Sequence, residues 1–459
     1  MPSSTITRRR FFQAAIAAQA TFSSLRALPS LASQNKQKND RPGAALVGCG
    51  GQGTGDAASA SRFCDIVAVC DVDSKQAQKA KKGLGGKADI VSDYRKLFER
   101  KDIDVIINGT PDHWHTKINI DACRAGKDVY AEKPLTLTID EGQKLCKVVE
   151  ETGRVVQVGT QQRSERQFQT AVELVRNGRI GKLKQVWVAL PWYSTKGGPF
   201  DAQPVPAGFD WDVYQGQAPV RDYCPQRTHK TFRWFYIYAG GIVTDWGNHH
   251  IDIAHWGMDC ENTGPVSVDA RGMFPNEGKP NCFNTADRFF SKMAYANGVE
   301  LLYFSSIHDK RTYGTEPCVD MSDQQRQWLF GKDTHKEIQD FNRNGIMFIG
   351  EKGRLFVNRG GIYGKVAEEL KENPLPGDAW RVPPSADHMA NFVECVKSRK
   401  TPVSTVAIQH RTITACHLTN ISLRLKRKLK WDPAAQRIIG DKEADSWRSR
   451  EQRAPYGIS

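Results

Sequence analysis

Long hydrophobic runs are absent from this chain, so no segment of the sequence is expected to span a bilayer. Internal repeats and low-complexity tracts are also absent. No basic stretch is interleaved with aromatic residues, which argues against nucleic-acid binding even though the net charge is +14. The composition, with 39% hydrophobic and 25% charged residues over 459 positions, is typical of a globular protein with two domains.

Cysteine pairs of the CxxC type are missing as well. Several of the 11 cysteines lie in apolar runs, where they are expected to act as small core residues. Cys224, Cys260, Cys282 and Cys318 lie in loop-rich sequence, where pairing in an oxidising compartment is an option. The sequence leaves that pairing open.

What the chain does contain is a glycine-rich turn after a short apolar run. Gly48, Gly50 and Gly53 fit the pattern GxGxxG, whose glycines permit a tight turn, close approach of a pyrophosphate, and helix–strand packing. A second apolar run ends in Asp71, near the spacing of about 20 residues expected of a carboxylate that binds an adenosine ribose. This order predicts a dinucleotide site, and the carboxylate favours NAD because it would repel the 2′-phosphate of NADP. The alternative is a plain βαβ unit with a tight turn.

Apolar runs alternate with helical stretches as far as residue 158. Strands are predicted at 44–47, 66–70, 90–91, 105–108, 129–131 and 155–158, and helices at 57–62, 74–82, 94–100, 113–125 and 139–151. This alternation predicts an α/β domain of the Rossmann type, a doubly wound parallel sheet whose ligands bind beyond the carboxyl ends of the strands.

The second half of the chain loses this rhythm. Short β-type runs at 183–190, 266–271, 299–305 and 353–357 predict an α+β domain with a mainly antiparallel sheet. The expected domain boundaries are a signal peptide at 1–32, a linker at 33–42, an NAD-binding Rossmann domain at 43–163, a sheet domain for substrate binding and oligomerisation at 164–430, and a C-terminal tail at 431–459.

The N-terminus predicts export. The segment 7–13 (TRRRFFQ) is similar to a twin-arginine signal, an Ala-rich stretch follows at 14–20, and Ser30 to Ala32 fits a small-x-small cleavage site. Because this route carries folded proteins, often with a cofactor, it agrees with a dinucleotide site. We expect a periplasmic protein, and the alternative is an uncleaved basic arm.

Polar motifs follow the predicted strands. Segment 110–115 carries TP-x-x-x-H after the fourth strand, and Glu132-Lys-Pro134 follows the fifth. A glycine-rich turn followed by these motifs resembles the glucose–fructose oxidoreductase and inositol dehydrogenase family (Gfo/Idh/MocA). The resemblance implies an open sheet domain packed against the Rossmann domain, and an active-site lysine beside the nicotinamide, here Lys133. Such a lysine can hydrogen-bond a reacting hydroxyl and stabilise its developing alkoxide.

Segment 245–256 resembles the D-x-x-x-H and D-x-x-x-W motifs of the same family. At helical spacing Asp245, His249, Asp252 and Trp256 share one face. The resemblance implies that His249 is the acid/base and that Asp245 lies beside it. A histidine takes the hydroxyl proton while hydride leaves the same carbon, and a nearby carboxylate orients the imidazole.

A metal site is the rival interpretation of this segment, because His249, His250, Asp252 and His255 cluster in the sequence. Adjacent histidines point to different faces of a helix, so no metal is predicted. We expect His250 and His255 to be structural.

The predicted sites are then as follows. The catalytic residues are Lys133, His249 and Asp245, and the NAD contacts are Gly48, Gly50, Gly51, Gln52, Gly53, Asp71, Thr110, Pro111, His115, Glu132 and Lys133. Aromatic residues are frequent between residues 187 and 238, and aromatic faces suit the C–H faces of sugars. Substrate contacts are expected at Trp192, Tyr193, Arg233 and Tyr238 in this segment, and at Arg163. The expected partners are a carbohydrate or cyclitol substrate, the twin-arginine export machinery and further copies of the chain.

The resemblance implies an NAD(H)-dependent oxidoreductase that transfers hydride between a nicotinamide and a sugar or cyclitol hydroxyl. A periplasmic location favours recycling of the cofactor on the enzyme, so a second interpretation is a redox-neutral NAD-dependent glycosidase that oxidises, eliminates, hydrates and reduces its substrate. A third is a non-catalytic sugar-binding protein that retains the dinucleotide. The intact Lys133, Asp245 and His249 argue against the third.

Overall fold

The computed structural model describes residues 41–191, 193–305 and 344–458. The strands in these ranges are β1 (Gly43–Val47), β2 (Asp65–Cys70), β3 (Asp89–Val91), β4 (Val105–Asn108), β5 (Asp128–Ala131), β6 (Val156–Val158), β7 (Leu183–Leu190), β8 (Pro265–Met273), β9 (Arg288–Tyr295), β10 (Glu300–Ser305), β11 (Gly345–Gly350), β12 (Arg354–Asn358), β13 (Gly361–Tyr363), β14 (Leu429–Asp432) and β15 (Arg437–Ile438). The helices are α1 (Gly51–Ala60), α2 (Ser74–Gly83), α3 (Arg95–Phe98), α4 (Asp112–Arg124), α5 (Ile139–Thr152), α6 (Arg166–Arg176), α7 (Trp211–Gln215), α8 (Ile242–Asp245), α9 (Gly247–Gly257), α10 (Lys365–Glu368), α11 (His388–Ser398), α12 (Val406–Leu425) and α13 (Lys442–Ser446).

The first six strands form a parallel sheet in the order β3-β2-β1-β4-β5-β6. The order reverses between β1 and β4, as in a doubly wound sheet. Residues 44–46 of β1 are fully buried, because helices cover both faces of a parallel sheet. The predicted Rossmann architecture is confirmed.

A late helix completes one face of this sheet. Phe392 in α11 packs in the same cluster as Leu46 and Tyr130, with the rings of Tyr130 and Phe392 5.6 Å apart. The chain therefore returns to the first domain after building the second, and residues far apart in sequence share one core.

The remaining strands form a nine-stranded sheet in the order β13-β12-β11-β7-β10-β9-β8-β14-β15. Its pairs are antiparallel except for β7 and β10, which run parallel. The expectation of a mainly antiparallel sheet is confirmed, with this one parallel pair. Helices α9 and α12 pack against each other, and α12 packs on β8.

This sheet extends past the predicted domain end at residue 430. Trp431 in β14 and Ile438 in β15 are 2% and 4% exposed, and β14 pairs with β8. Their burial explains why residues 429–438 belong to the sheet rather than to a polar tail.

Two further structural facts concern the described residues. No helix among them has the length and apolar character needed to cross a bilayer. Cys224, Cys260 and Cys282 are buried free thiols, whereas Cys318 and the proposed signal at 1–32 lie outside the described residues.

Candidate functional site

A cleft of about 760 Å³ lies beyond the carboxyl ends of the parallel strands. One side is formed by the loops after β1, β2, β3, β4 and β5, and the other by residues 210–233 together with Pro455 and Tyr456. Nine of the predicted NAD contacts line it, namely Gly48, Gly50, Gly51, Gln52, Asp71, Thr110, Pro111, Glu132 and Lys133.

The glycine-rich turn fits the phosphates of a dinucleotide. Gly48 has φ +89°, and a Cβ there would lie 2.6 Å from the Thr110 nitrogen. A Cβ on Gly53 would lie 2.2 Å from the Gly48 oxygen, so Gly53 permits close packing rather than lining the cleft. A Cβ on Gly50 would meet nothing within 4 Å, which leaves space where α1 begins and its first N–H groups favour an anion.

Asp71 lies at the end of β2, where a ribose diol would reach it. Its Oδ2 accepts from the Cys49 N–H at 2.6 Å and its Oδ1 from the Asp73 N–H at 2.8 Å. Burial raises the pKa of Asp71, and these two backbone hydrogen bonds oppose that rise. The backbone thus fixes the carboxylate's direction.

His115 connects the loop after β4 to the loop after β5 and does not line the cleft. Its Nδ1 lies 2.6 Å from the Pro134 oxygen and its Nε2 lies 2.7 Å from the Thr110 oxygen. Burial lowers the pKa of His115 to about 4, so the neutral ring donates to only one of these carbonyl groups. The Lys133–Pro134 peptide is cis.

Two buried acids lie below the glycine-rich turn. Burial raises the pKa of both Asp56, in α1, and Glu132, after β5. Gln52 Nε2 donates to Asp56 Oδ1 at 3.1 Å and to Glu132 Oε1 at 3.4 Å. The charge of the nearby Glu132 carboxylate raises the pKa of Asp56 further.

The predicted catalytic lysine forms a charged cluster at the floor of the cleft. Lys133 Nζ lies 2.7 Å from Asp245 Oδ1, and Arg233 Nε lies 3.5 Å from the same oxygen. Burial alone would raise the pKa of Asp245, but Lys133 and Arg233 lower it below its usual value. Asp245 is therefore ionised and fixes the Lys133 ammonium group, with Arg233 beside it.

His249 lies in α9, four residues after Asp245, and is near enough to Lys133 for the ammonium charge to affect its ring. Its pKa is lowered well below 6.5, first by burial and then by the charges of Lys133 and Arg359. The neutral imidazole is therefore the resting form. The expectation that Asp245 orients this ring is corrected, because the carboxylate binds Lys133 and Arg233 while His249 Nδ1 has no partner among the described residues.

Arg163 does not reach the cleft. The 3₁₀ turn at Gln161–Ser164 directs its side chain inward, where the guanidinium lies 2.6 Å from Asp252 Oδ1 and 2.8 Å from Glu261 Oε1. The ring of Trp256 lies 4.8 Å from its Cζ. The prediction of Arg163 as a substrate contact is corrected: it fixes α9 to the loop after β6.

The aromatic substrate predictions divide in a similar way. Tyr238 is fully buried and its ring lies 4.9 Å from that of His113, so this prediction is also corrected. Tyr193 is 37% exposed and contacts Trp234, outside the lining of the cleft. Trp192 lies outside the described residues, and Arg233 lines the cleft as predicted.

The structure adds residues that sequence reasoning missed. Asp112, the first residue of α4, lines the cleft, and burial raises its pKa to about 7. Its position in the TP-x-x-x-H motif was an available signal. The sequence carries no such signal for Tyr456, because its position at the cleft depends on contacts with residues hundreds of positions earlier.

The rival metal site has no support in the described part of the chain, where no group of three or more His, Cys, Asp or Glu residues is placed to bind an ion. His250 Nε2 bonds Asn344 at 2.7 Å, and His255 Nε2 bonds Tyr295 at 2.6 Å. Both side chains have structural partners.

Most of the chain matches models of known protein families. The oxidoreductase family model for the NAD-binding Rossmann fold matches residues 43–160, and its C-terminal alpha/beta domain matches 182–313 and 339–458. The chain belongs to the Gfo/Idh/MocA oxidoreductase family. It is an NAD-dependent oxidoreductase, and the residues matched by the NAD-binding model include Gly48, Asp71 and Lys133, which line the cleft described above.

Individual relatives are distant. The chain is 25% identical over 311 residues to scyllo-inositol 2-dehydrogenase (NAD(+)) of Bacillus subtilis, covering 68% of this chain and 72% of the relative. It is 28% identical over 168 residues to a glycosyl hydrolase family 109 protein of Shewanella pealeana, covering 34% and 36%. The WlbA dehydrogenase of Bordetella pertussis, solved with NADH and UDP-GlcNAcA, shares the fold at a TM-score of 0.58 and 18% identity, covering 85% of this chain and 99% of that one.

Proposed function

We propose that this oxidoreductase transfers hydride between the nicotinamide of NAD(H) and a hydroxyl-bearing carbon of a sugar or cyclitol. The observation that carries the proposal is the contact of 2.7 Å between Lys133 and Asp245 at the floor of the NAD cleft, near the neutral His249. The inositol dehydrogenase relative supports the substrate class.

The cofactor, when bound, supplies the hydride acceptor or donor. Lys133 donates a hydrogen bond to the reacting oxygen and stabilises the negative charge that develops as its proton leaves. Asp245 fixes the Lys133 ammonium group, and His249, uncharged at rest, accepts the proton. In the oxidative direction, hydride thus leaves the carbon and the proton leaves the oxygen of one C–O–H unit.

The test follows absorbance of NADH and release of aglycone together, with a panel of cyclitols, sugars and aryl glycosides. We expect NADH to form in proportion to the substrate, without aglycone. Sugar binding without either signal across the panel would contradict catalysis and support a non-catalytic sugar-binding protein.

A second candidate is the redox-neutral glycosidase. Such a cycle needs one further acid/base, and Asp112 has a pKa of about 7 at the wall of the cleft. The glycosyl hydrolase relative from Shewanella pealeana supports the same candidate. Sustained aglycone release without net NADH, abolished in Asp112→Asn, would establish it over the dehydrogenase.

We also propose that the protein is exported to the periplasm by the twin-arginine machinery. The support is the sequence at 7–13 and 30–32. A fluorescent fusion to residues 1–40 should be exported, and the double substitution Arg8→Lys with Arg9→Lys should retain it. Equal export of both fusions would contradict the proposal.

A further proposal is assembly of copies of the chain through the sheet domain. Met273 at the end of β8 and Tyr363 in β13 are 50% and 41% exposed, so each presents apolar surface that contact with another copy would remove from water. Light scattering on the purified chain should give a multiple of the mass of 51.4 kDa. A monomer at micromolar concentration would contradict it.

A further inference from the structure

The NAD cleft has a second wall that binds directly to the Rossmann domain. We call residues 208–233 the roof. At one lip of the cleft, the Ser74 N–H donates to the Gly208 oxygen and the Asp210 N–H donates to the Val72 oxygen, both at 2.9 Å. His229 Nε2 also lies 3.2 Å from Asp73 Oδ2. The roof is thus bonded to the loop that follows Asp71.

The roof also binds the opposite lip, at the start of α4. Trp114 Nε1 donates to the Val213 oxygen at 3.0 Å, and His113 Nε2 lies 2.8 Å from the Tyr214 oxygen. Since Asp71 lies on one lip and Thr110 with Pro111 on the other, the roof crosses the cleft above the adenosine end.

The end of the chain fastens the roof. We call residues 450–458 the strap. Tyr456 Oη donates to Asp212 Oδ2 at 2.7 Å, and Arg453 Nη2 donates to the Asp212 oxygen at 2.9 Å. The Tyr456 ring packs edge-on against Trp114, with centroids 5.7 Å apart, and Tyr456 lines the cleft. One side chain therefore contacts the roof, α4 and the space for the cofactor.

Both ends of the strap are attached elsewhere. The Arg450 guanidinium lies 3.9 Å from the centre of the Tyr236 ring. At the other end, Lys144 Nζ donates to the Ile458 oxygen at 2.8 Å. Between the two ends, Gln452 Nε2 donates to Glu141 Oε1 at 3.3 Å. These attachments place the strap along α5, so that Tyr456 is held against the roof.

We propose that the strap holds the roof closed over bound NAD, so that the dinucleotide leaves only when Tyr456 and Arg453 detach from Asp212. Opening of the roof then sets the rate at which NADH is exchanged for NAD between turnovers. This inference rests on the NAD site and does not depend on which sugar or cyclitol is the substrate.

The test measures dissociation of NADH from the full chain. Protein loaded with NADH is mixed with a large excess of NAD, and loss of bound NADH fluorescence is followed in a stopped-flow instrument. In Tyr456→Ala and Arg453→Ala, dissociation should be at least about tenfold faster than in wild type, the equivalent of ~1.4 kcal/mol. Arg427→Ala, which removes an ion pair with Asp441 outside the cleft, should match wild type.

Tyr456→Phe is a conservative second variant, because it keeps the ring against Trp114 and loses only the bond to Asp212. An intermediate rate is expected. Equal NADH dissociation rates in wild type, Tyr456→Phe and Arg453→Ala would overturn the role of the strap while leaving the NAD site intact. A wild-type chain that binds no NADH would overturn the cofactor site and the strap together.

Discussion

At the scale of single residues, Lys133 differs from the other lysines of the cleft in its environment. Its ammonium group is fixed by Asp245, whereas Lys117, also in the lining, pairs with Asp121 one turn along α4. We predict that Lys133→Met lowers turnover by about 10²–10⁴-fold with little change in NAD affinity. Lys117→Met is the matched control and should keep its turnover, as steady-state kinetics and calorimetry will measure.

His249 gives a prediction for pH. A base must be deprotonated to act, and the pKa of His249 is lowered by burial and by nearby positive charges. Activity should therefore persist as pH falls below 6.5 and decline only at a lower pH. The profile of kcat/KM against pH measures this, and His249→Ala should lose the acidic limb. A limb at or above 6.5 would contradict the assignment.

Substitutions at two glycines of the turn should have different effects, one on NAD binding and the other on stability. Gly50→Val adds side chain to open space, so the protein should fold normally and fail to bind NAD. Gly53→Ala places a Cβ 2.2 Å from the Gly48 oxygen, so it should lower the melting temperature. Thermal unfolding and calorimetry compare the two variants. Normal NAD binding by Gly50→Val would contradict the proposed path of the pyrophosphate.

At the scale of elements, the position of α9 depends on the buried ion pair between Arg163 and Asp252. Arg163 is 2% exposed and Asp252 is fully buried, and Gln409 from α12 also bonds Asp252. Removing one partner of such a pair leaves a buried charge, which costs about 3–5 kcal/mol. We predict that Arg163→Ala destabilises the protein by about this amount in urea denaturation.

The exposed pair of Arg427 with Asp441 supplies the control. Arg427→Ala should unfold at nearly the wild-type urea concentration, because solvent screens its charges. If Arg163→Ala kept the wild-type stability and raised KM, the result would contradict the structural role and support Arg163 as a substrate contact.

Local patterns predicted much of this architecture. The glycine-rich turn and the acid after β2 belong to one βαβ unit, so their spacing located them. The motif at 132–134 was located by its resemblance to the family. Arg163 was misplaced because its position after β6 indicates the cleft, whereas a 3₁₀ turn directs it inward. The roof was not predicted, because its bonds join Trp114 to Val213, 99 positions away, and no local pattern encodes such contacts.

At the scale of the whole molecule, NAD should stabilise the fold because it contacts both walls of the cleft. A ligand that binds only the folded state at 100 times its Kd adds about 2.7 kcal/mol. We therefore predict that saturating NAD raises the melting temperature and that NADP does so much less, since Asp71 repels a 2′-phosphate. In Asp71→Ala the difference between the two should shrink. Equal shifts in the wild-type protein would contradict the role of Asp71.

The cleft also sets an order of events during synthesis. Its glycine-rich turn is translated before β6, whereas the roof and Tyr456 are translated after it. A nascent chain can complete the parallel sheet through β6 long before the dinucleotide has a second wall to rest against. A chain synthesised only as far as β6 therefore offers a dinucleotide the glycine-rich turn and Asp71 on one side, whereas the cover provided by the roof and Tyr456 requires the later residues.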